Sequence, residues 1–273
     1  MYQVGVRPSY ATGFAQWPGM SEYPQLWEGL VAAYAPFLGM TGSQVFDLSG
    51  WKNHGDLQGT APSWSAGKFG SAVLLPGTDE CISLGNNVPG LSVSAGTVIV
   101  WFKSTGDTGD YQMMFTHRTV GTDDRIYLET RPDTGDFYIE FAESGVSISS
   151  GVSTENDNLW HMGVVTWNAT QADGYLDGVH FGTDVDTIPS VTGDVYFGQN
   201  RGLSAPFAGL ISLAQIYNRT LAASEVAQLS WNPFCDLGPR MMNLYVPAPT
   251  GIIRSKIAGG LANTTPLLGG MAA

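Results

Sequence analysis

The sequence predicts an all-β fold in which antiparallel strands form a two-sheet sandwich, with one short helix near the C-terminal end. Apolar and polar residues alternate with a period of two, as when Phe137, Ile139 and Phe141 alternate with Tyr138 and Glu140. This pattern is typical of a half-buried strand. Stretches rich in Gly and Asp separate the apolar runs, and the 35 glycines supply the positive φ that tight turns need. Many short strands at this spacing indicate two packed sheets, since antiparallel sheets must cover one face.

The predicted strands and turns follow one another through the middle of the chain. The clearest strands are residues 97–102, 111–115, 125–129, 137–141 and 161–167, and turn signals lie at 105–110, 133–136 and 176–178. A short helix is predicted at 222–230, because Val226 and Leu229 can cover one face. Pro233 ends it, since proline cannot continue a helix.

Composition divides the chain into three segments. Residues 1–28 place aromatic side chains between prolines and glycines, a pattern unsuited to a helix and too apolar for a plain linker. We predict an extended N-terminal arm there, followed by the sandwich at 29–236. Residues 237–273 are of low complexity, so we predict a C-terminal arm that a partner orders.

Net charge argues against nucleic-acid binding, and the lengths of the apolar runs argue against membrane insertion. The chain carries −12 at pH 7, and an acidic surface repels phosphate backbones. Since no apolar run approaches a bilayer span, we expect no membrane insertion. The N-terminal residues also lack the basic and apolar regions of an export signal.

Two cysteines, Cys81 and Cys235, leave two interpretations open. They form one disulfide, or they are separate buried thiols, because sequence alone does not give connectivity. Neither belongs to a Cys-x-x-Cys pair or a Cys/His cluster, so no zinc site is indicated.

A series of ordered motifs resembles the laminin-G-like, concanavalin A-like jelly-roll family. These motifs are residues 47–55, 67–72, 160–167, 175–178, 207–211 and 216–226. The resemblance extends over most of the chain and implies a jelly roll of two antiparallel sheets. Residues 26–34 are in addition similar to phage-associated laminin-G-like proteins. The fold hosts adhesins, sugar binders, enzyme appendages and viral coat parts, so it implies no single function.

The family resemblance also implies a calcium site, at Asp47 and Asn53. Many members bind calcium near the first motif and in the closing strand, and both side chains carry the oxygens that a hard cation needs. The closing strand reads Ile-Ser-Leu at 211–213, where members often have Ile-Asp-Glu, which weakens such a site. In the alternative interpretation, Asp47, Ser49 and Asn53 shape turns through hydrogen bonds to the backbone. No other cofactor is predicted.

Catalytic carboxylates are not evident in the sequence. Glycosidases on this fold place two or three carboxylates on one strand, where a close pair acts as acid and nucleophile. Glu140 and Glu143 are odd in spacing and would point to opposite faces, and Glu129 stands alone beside Arg131. We therefore predict surface charges rather than an active site, and a protein that is not an enzyme.

Three function classes remain, in order of preference. The first is a structural or decorating protein of a virus particle, with a lectin-like domain and with attachment to virion proteins or sister copies through residues 1–28 and 237–273. A carbohydrate-binding adhesin or surface module is the alternative, which would be extracellular or on a cell surface and bind a glycan. A glycoside hydrolase on the same fold comes third, because the carboxylate array is missing.

Overall fold

The computed structural model describes residues 24–35, 42–86, 88–92, 94–119, 124–142, 146–185, 191–200, 202 and 204–237. In chain order these residues form α1 (Pro24–Trp27), β1 (Leu30–Tyr34), β2 (Gln44–Val45), β3 (Gly55–Gln58), β4 (Ser63–Gly67), β5 (Gly70–Pro76), β6 (Cys81–Gly85), β7 (Gly96–Ser104), β8 (Gln112–Thr119), β9 (Arg125–Thr130), β10 (Asp136–Ala142), β11 (Val146–Ser153), β12 (His161–Asn168), β13 (Gln171–Leu176), β14 (Val179–Asp184), β15 (Gly193–Phe197), β16 (Ala208–Tyr217) and α2 (Ala223–Trp231).

The strands form two sheets, and the predicted antiparallel two-sheet sandwich is confirmed. Strand order in the first sheet is β14-β13-β12-β7-β16-β5-β4, with β1 also paired to β16. In the second sheet it is β11-β10-β9-β8-β15-β6-β3-β2. Neighbouring strands run antiparallel in both, consistent with a jelly roll. The predicted C-terminal helix is confirmed as α2, and no helix among the described residues has the length and apolarity of a membrane span.

The core between the sheets is built from alternate residues of each strand. On β10, Phe137, Ile139 and Phe141 are fully buried in this core. Tyr138 and Glu140 lie between them in sequence and therefore point to the other face of the second sheet. The alternation that predicted a half-buried strand thus assigns each side chain to its face.

The outer face of the first sheet is covered by both helices. Leu26 and Trp27 of α1, and Val226 and Leu229 of α2, are buried there in a second apolar cluster. Arg219 joins the helices, since its guanidinium pairs with a glutamate of α2 at 2.7 Å and donates to backbone carbonyls of residues 25 and 28. Residues 24–28, which the sequence assigned to the N-terminal arm, are therefore a packed part of the body. Residues 1–23 and 238–273 lie outside the described residues, so the two arms stay predictions.

The two cysteines are free buried thiols, as the second interpretation had it. Cys81 belongs to β6 of the second sheet, whereas Cys235 belongs to the apolar cluster outside the first sheet. Burial raises the pKa of the Cys81 thiol to about 11, with nearby carboxylates adding to the effect. This thiol stays protonated at neutral pH and is a poor nucleophile.

Candidate functional site

Asp47, one of the two predicted calcium ligands, accepts a hydrogen bond from each of four donors. Its Oδ1 accepts hydrogen bonds from the backbone N–H groups of Ala33 at 2.9 Å and Ser49 at 2.8 Å. Its Oδ2 accepts hydrogen bonds from the Ser49 hydroxyl at 2.8 Å and the backbone N–H of Asn53 at 3.0 Å. The side chain is 4% exposed. Two donors on each oxygen occupy the lone pairs that a cation would otherwise use.

Asn53, the second predicted ligand, lies beside Asp47 and connects three parts of the chain. Its Nδ2 donates to the carbonyls of Val31 at 2.7 Å and Pro89 at 2.9 Å, and its own carbonyl accepts a hydrogen bond from the Tyr34 hydroxyl. Among the described residues no group of three or more His, Cys, Asp or Glu side chains could hold a metal. The two predicted ligands therefore lie side by side, and their hydrogen bonds shape the turn. Calcium binding stays a prediction.

A polar face lies on the outer face of the second sheet. Residues that alternate with the core positions of β9 and β10 point outward there, and register places Tyr138 opposite Glu129 and Glu140 opposite Tyr127. Residues 112 and 130 pair at the end of β8 and β9. Tyr111 precedes the first of them and Arg131 follows the second, so Tyr111 and Arg131 lie next to each other. We call this surface the tyrosine–arginine face and define it by Tyr111, Arg125, Tyr127, Glu129, Arg131, Tyr138 and Glu140.

Two arginines bind the glutamates of this face, and one of them, Arg131, connects the two. Arg131 donates through Nε to Glu129 Oε1 at 2.8 Å and through Nη2 to Glu140 Oε2 at 2.7 Å. Arg125 donates through Nε to Glu140 Oε1 at 2.8 Å. Glu129 therefore does not stand alone: Arg131, two residues further along the chain, pairs with it and also with Glu140 of the neighbouring strand. Sequence spacing does not give the register that brings Glu140 there. Glu143 lies outside the described residues.

The two glutamates differ in environment. Glu129 is 1% exposed, against 13% for Glu140. Burial raises the pKa of Glu129 to about 7, and repulsion from Glu140 adds to this, while Arg131 and Arg125 oppose it. Burial therefore makes the proton affinity of Glu129 higher than that of an exposed glutamate.

Aromatic rings surround the guanidinium groups. The guanidinium carbon of Arg131 lies 4.2 Å from the ring centre of Tyr138 and 5.8 Å from that of Tyr111, and that of Arg125 lies 5.4 Å from the ring centre of Tyr127. These distances are those of cation–π contacts. Tyr111 is 41% exposed. The face therefore offers an accessible ring beside charged groups that can form hydrogen bonds.

Several solved structures share the fold of this chain at low sequence identity. Domain 4 of AbnA, an extracellular arabinanase from Geobacillus stearothermophilus solved with arabinotriose, is 18% identical with a TM-score of 0.58, over 74% of this chain and 98% of that one. The binding domain of Paraclostridial Mosquitocidal Protein 1 is 18% identical with a TM-score of 0.57, over 77% of this chain and 53% of that one. Trypanosoma rangeli sialidase in complex with sialic acid is 15% identical with a TM-score of 0.59, over 74% of this chain but only 32% of the sialidase. At these identities the likeness extends to the fold alone.

Sequence comparison gives the family. No curated protein matched the chain. The Laminin_G_3 family, described as the concanavalin A-like lectin/glucanases superfamily, matches residues 76–227. This span begins at the last residue of β5 and ends within α2, and it includes every residue of the tyrosine–arginine face. The chain therefore belongs to the Laminin_G_3 family of concanavalin A-like lectin/glucanase domains.

Proposed function

We propose that this chain is a non-catalytic, lectin-like module that binds a glycan through the tyrosine–arginine face. The observation that carries the proposal is the position of Arg131, which contacts the rings of Tyr111 and Tyr138 and holds both glutamates. Fixed side chains of this kind lose little entropy when a ligand binds. The arabinanase domain of the same fold, solved with arabinotriose, lends support by analogy.

The environment of the two glutamates supports a binding role rather than hydrolysis. A glycosidase needs one carboxyl group that protonates the leaving oxygen and a second that attacks the sugar or activates water. Glu129 has the raised pKa of an acid, but it is 1% exposed. Both oxygens of Glu140 accept hydrogen bonds from guanidinium groups, which lowers their reactivity as nucleophiles.

Glycan binding by variant proteins tests this proposal. Replacing Tyr111→Ala should weaken binding of a glycan selected on an array by about fivefold or more, because stacking on a ring contributes roughly 1 kcal/mol or more. Trp231→Ala is the matched control, since that ring is 88% exposed at the end of α2 on the other side of the sandwich. Equal binding by the wild type and Tyr111→Ala would contradict the assignment of the face. Cleavage of the bound oligosaccharide that Glu129→Gln abolishes would establish an enzyme instead.

We further propose that a virus particle carries this module, attached through residues 1–28 and 237–273, with a cell-surface adhesin as the alternative. The geometry of the described ends supports this: α1 and the turn at 233–237 both lie on the outer face of the first sheet. That face is the one remote from the tyrosine–arginine face, so attachment there leaves the binding face accessible. The chain should copurify with virus particles on a density gradient. Recovery in the cell envelope alone would favour the adhesin.

A further inference from the structure

Three arginines concentrate on one face of an otherwise acidic protein. Arg125 and Arg131 belong to the tyrosine–arginine face, and Arg118 on β8 is the direct cross-strand partner of Arg125. Like charges placed directly opposite one another destabilise a sheet, and the chain as a whole carries −12. Of the arginines that the structure describes, only Arg219 lies elsewhere. The arginines that the structure describes are thus concentrated beside the tyrosine rings of this face, and this concentration points to a ligand that brings negative charge.

Three carboxylates, those of Glu140, Glu129 and Asp194, lie among these three arginines. Glu140 is shared, because its Oε1 pairs with Arg125 and its Oε2 with Arg131. Glu129 binds Arg131 from a nearly inaccessible position, because its side chain is 1% exposed against 20% for Arg131, so a ligand can reach the guanidinium but not this carboxylate. Asp194 is the cross-strand partner of Arg118 on the other side of β8.

Arg131 also retains donors for a ligand. Its hydrogen bonds use Nε and Nη2, and its Nη1 makes no hydrogen bond to any residue in the described part of the chain. The side chain is 20% exposed, and the ring of the half-exposed Tyr111 lies next to it. The planar guanidinium matches the geometry of a carboxylate. An accessible donor and an accessible ring therefore lie side by side.

We propose that the ligand of the tyrosine–arginine face is a carboxylated glycan of the uronic acid type. Its carboxylate binds Nη1 of Arg131, and its sugar ring lies against Tyr111. This inference rests on the proposed glycan-binding function and adds the class of sugar. The same geometry explains why the face retains several arginines although the rest of the protein is acidic.

Titration calorimetry of the full chain with oligogalacturonate and with its methyl ester of equal length tests the inference. The methyl ester keeps the sugar rings and removes the charge. The acid form should bind at least tenfold more tightly at low ionic strength, and the preference should shrink as salt is added, because salt screens exposed charges. Arg131→Lys should lose most of the preference, since lysine keeps the charge needed near the glutamates but lacks the planar fork.

Each outcome separates this inference from the proposed function. Equal binding of the two forms, weakened in both by Tyr111→Ala, would overturn the preference for a carboxylate and leave the glycan-binding face intact. Binding of neutral oligosaccharides only, again dependent on Tyr111, would do the same. The absence of any glycan binding that depends on Tyr111 would overturn both proposals. Circular dichroism of Arg131→Lys excludes unfolding as the cause of a loss.

Discussion

The imidazole of His161 is held between two carboxylates, with Nδ1 2.8 Å from Oδ2 of Asp177 and Nε2 2.7 Å from Oδ2 of Asp157. A neutral imidazole has one N–H and cannot donate to both, so this geometry requires the imidazolium form. His161 begins β12, Asp177 lies in the turn after β13, and Asp157 lies in the loop before β12. The charge on a single ring therefore joins a loop to a hairpin.

This pairing predicts a loss of stability at alkaline pH. Burial lowers the pKa of His161, but the hydrogen bonds to Asp177 and Asp157 outweigh burial and raise it above 6.5. A raised folded-state pKa contributes stability that is complete below the unfolded value and is lost as pH rises through the folded value. Asp177→Asn keeps an acceptor for the N–H of Met162 and tolerates the positive φ of the turn, but it removes the charge. Denaturant unfolding should show a smaller decline in stability above pH 6.5 for this variant, and an unchanged decline would contradict the imidazolium.

A second pH effect is predicted at Asp236, beneath the C-terminal helix. This residue is fully buried, and its Oδ2 accepts hydrogen bonds from Tyr217 Oη at 2.6 Å and Gln215 Nε2 at 2.8 Å. Burial raises its pKa to about 7, although these hydrogen bonds oppose the shift. Stability from the neutral acid should therefore be complete below about pH 4 and be lost as pH rises through about 7. Asp236→Asn cannot ionise, so its stability relative to the wild type should increase between about pH 5 and pH 8.5. A difference in stability that is independent of pH over this range would contradict the raised pKa.

Replacing Asp47→Asn should destabilise the fold by about 2–4 kcal/mol, because the new amide nitrogen faces two donors that then lack an acceptor. Asp56→Asn is the matched control, since Asp56 is exposed and makes a side-chain hydrogen bond to Gln44. If the turn-shaping interpretation of Asp47 holds, calcium and chelator should leave the melting temperature of the wild type unchanged. A rise in melting temperature with calcium that Asp47→Asn abolishes would establish the calcium site.

The turn between β13 and β14 requires glycine for two reasons. Asp177 and Gly178 have φ of 53° and 82°, as in the type I′ turns that join antiparallel strands. A Cβ on Gly178 would lie 2.4 Å from Ser230 Oγ in α2. Gly178→Ala should therefore destabilise the fold more than Gly109→Ala does. Gly109 has φ of 71° but open space around it, so its replacement should lower the free energy of unfolding by about 1 kcal/mol. Chemical denaturation measures both, and Ser230→Gly should relieve part of the Gly178→Ala loss; equal costs at the two glycines would contradict close packing of the hairpin on α2.

The fold could be predicted from sequence because its signal is local. The alternation around Ile139 gives the strand and its buried face within a few residues, and the pair Val226 and Leu229 gives the helix in the same way. The first motif likewise brought Asp47 and Asn53 together, since they are six residues apart and share one turn.

The tyrosine–arginine face could not be predicted because it depends on pairing between strands. Glu129 and Glu140 become neighbours only through the register of β9 with β10, and Arg131 joins them from a position just beyond the end of β9. A one-residue change of register would turn Glu140 to the other face. One sequence pattern could have indicated this face: Tyr, Arg and Glu recur at the outward positions of consecutive strands. The pattern can be used only after the inward and outward positions of each strand are assigned.

Both described ends of the chain lie on the outer face of the first sheet, on the side of the sandwich remote from the tyrosine–arginine face. Copies fixed to a common surface through these ends would all point their binding faces in the same direction. Weak contacts by single copies would then add up to avidity, because after the first contact each further one forms at a high effective concentration. Under the proposed function, weak binding of one sugar chain by each copy would then be sufficient for strong multivalent attachment.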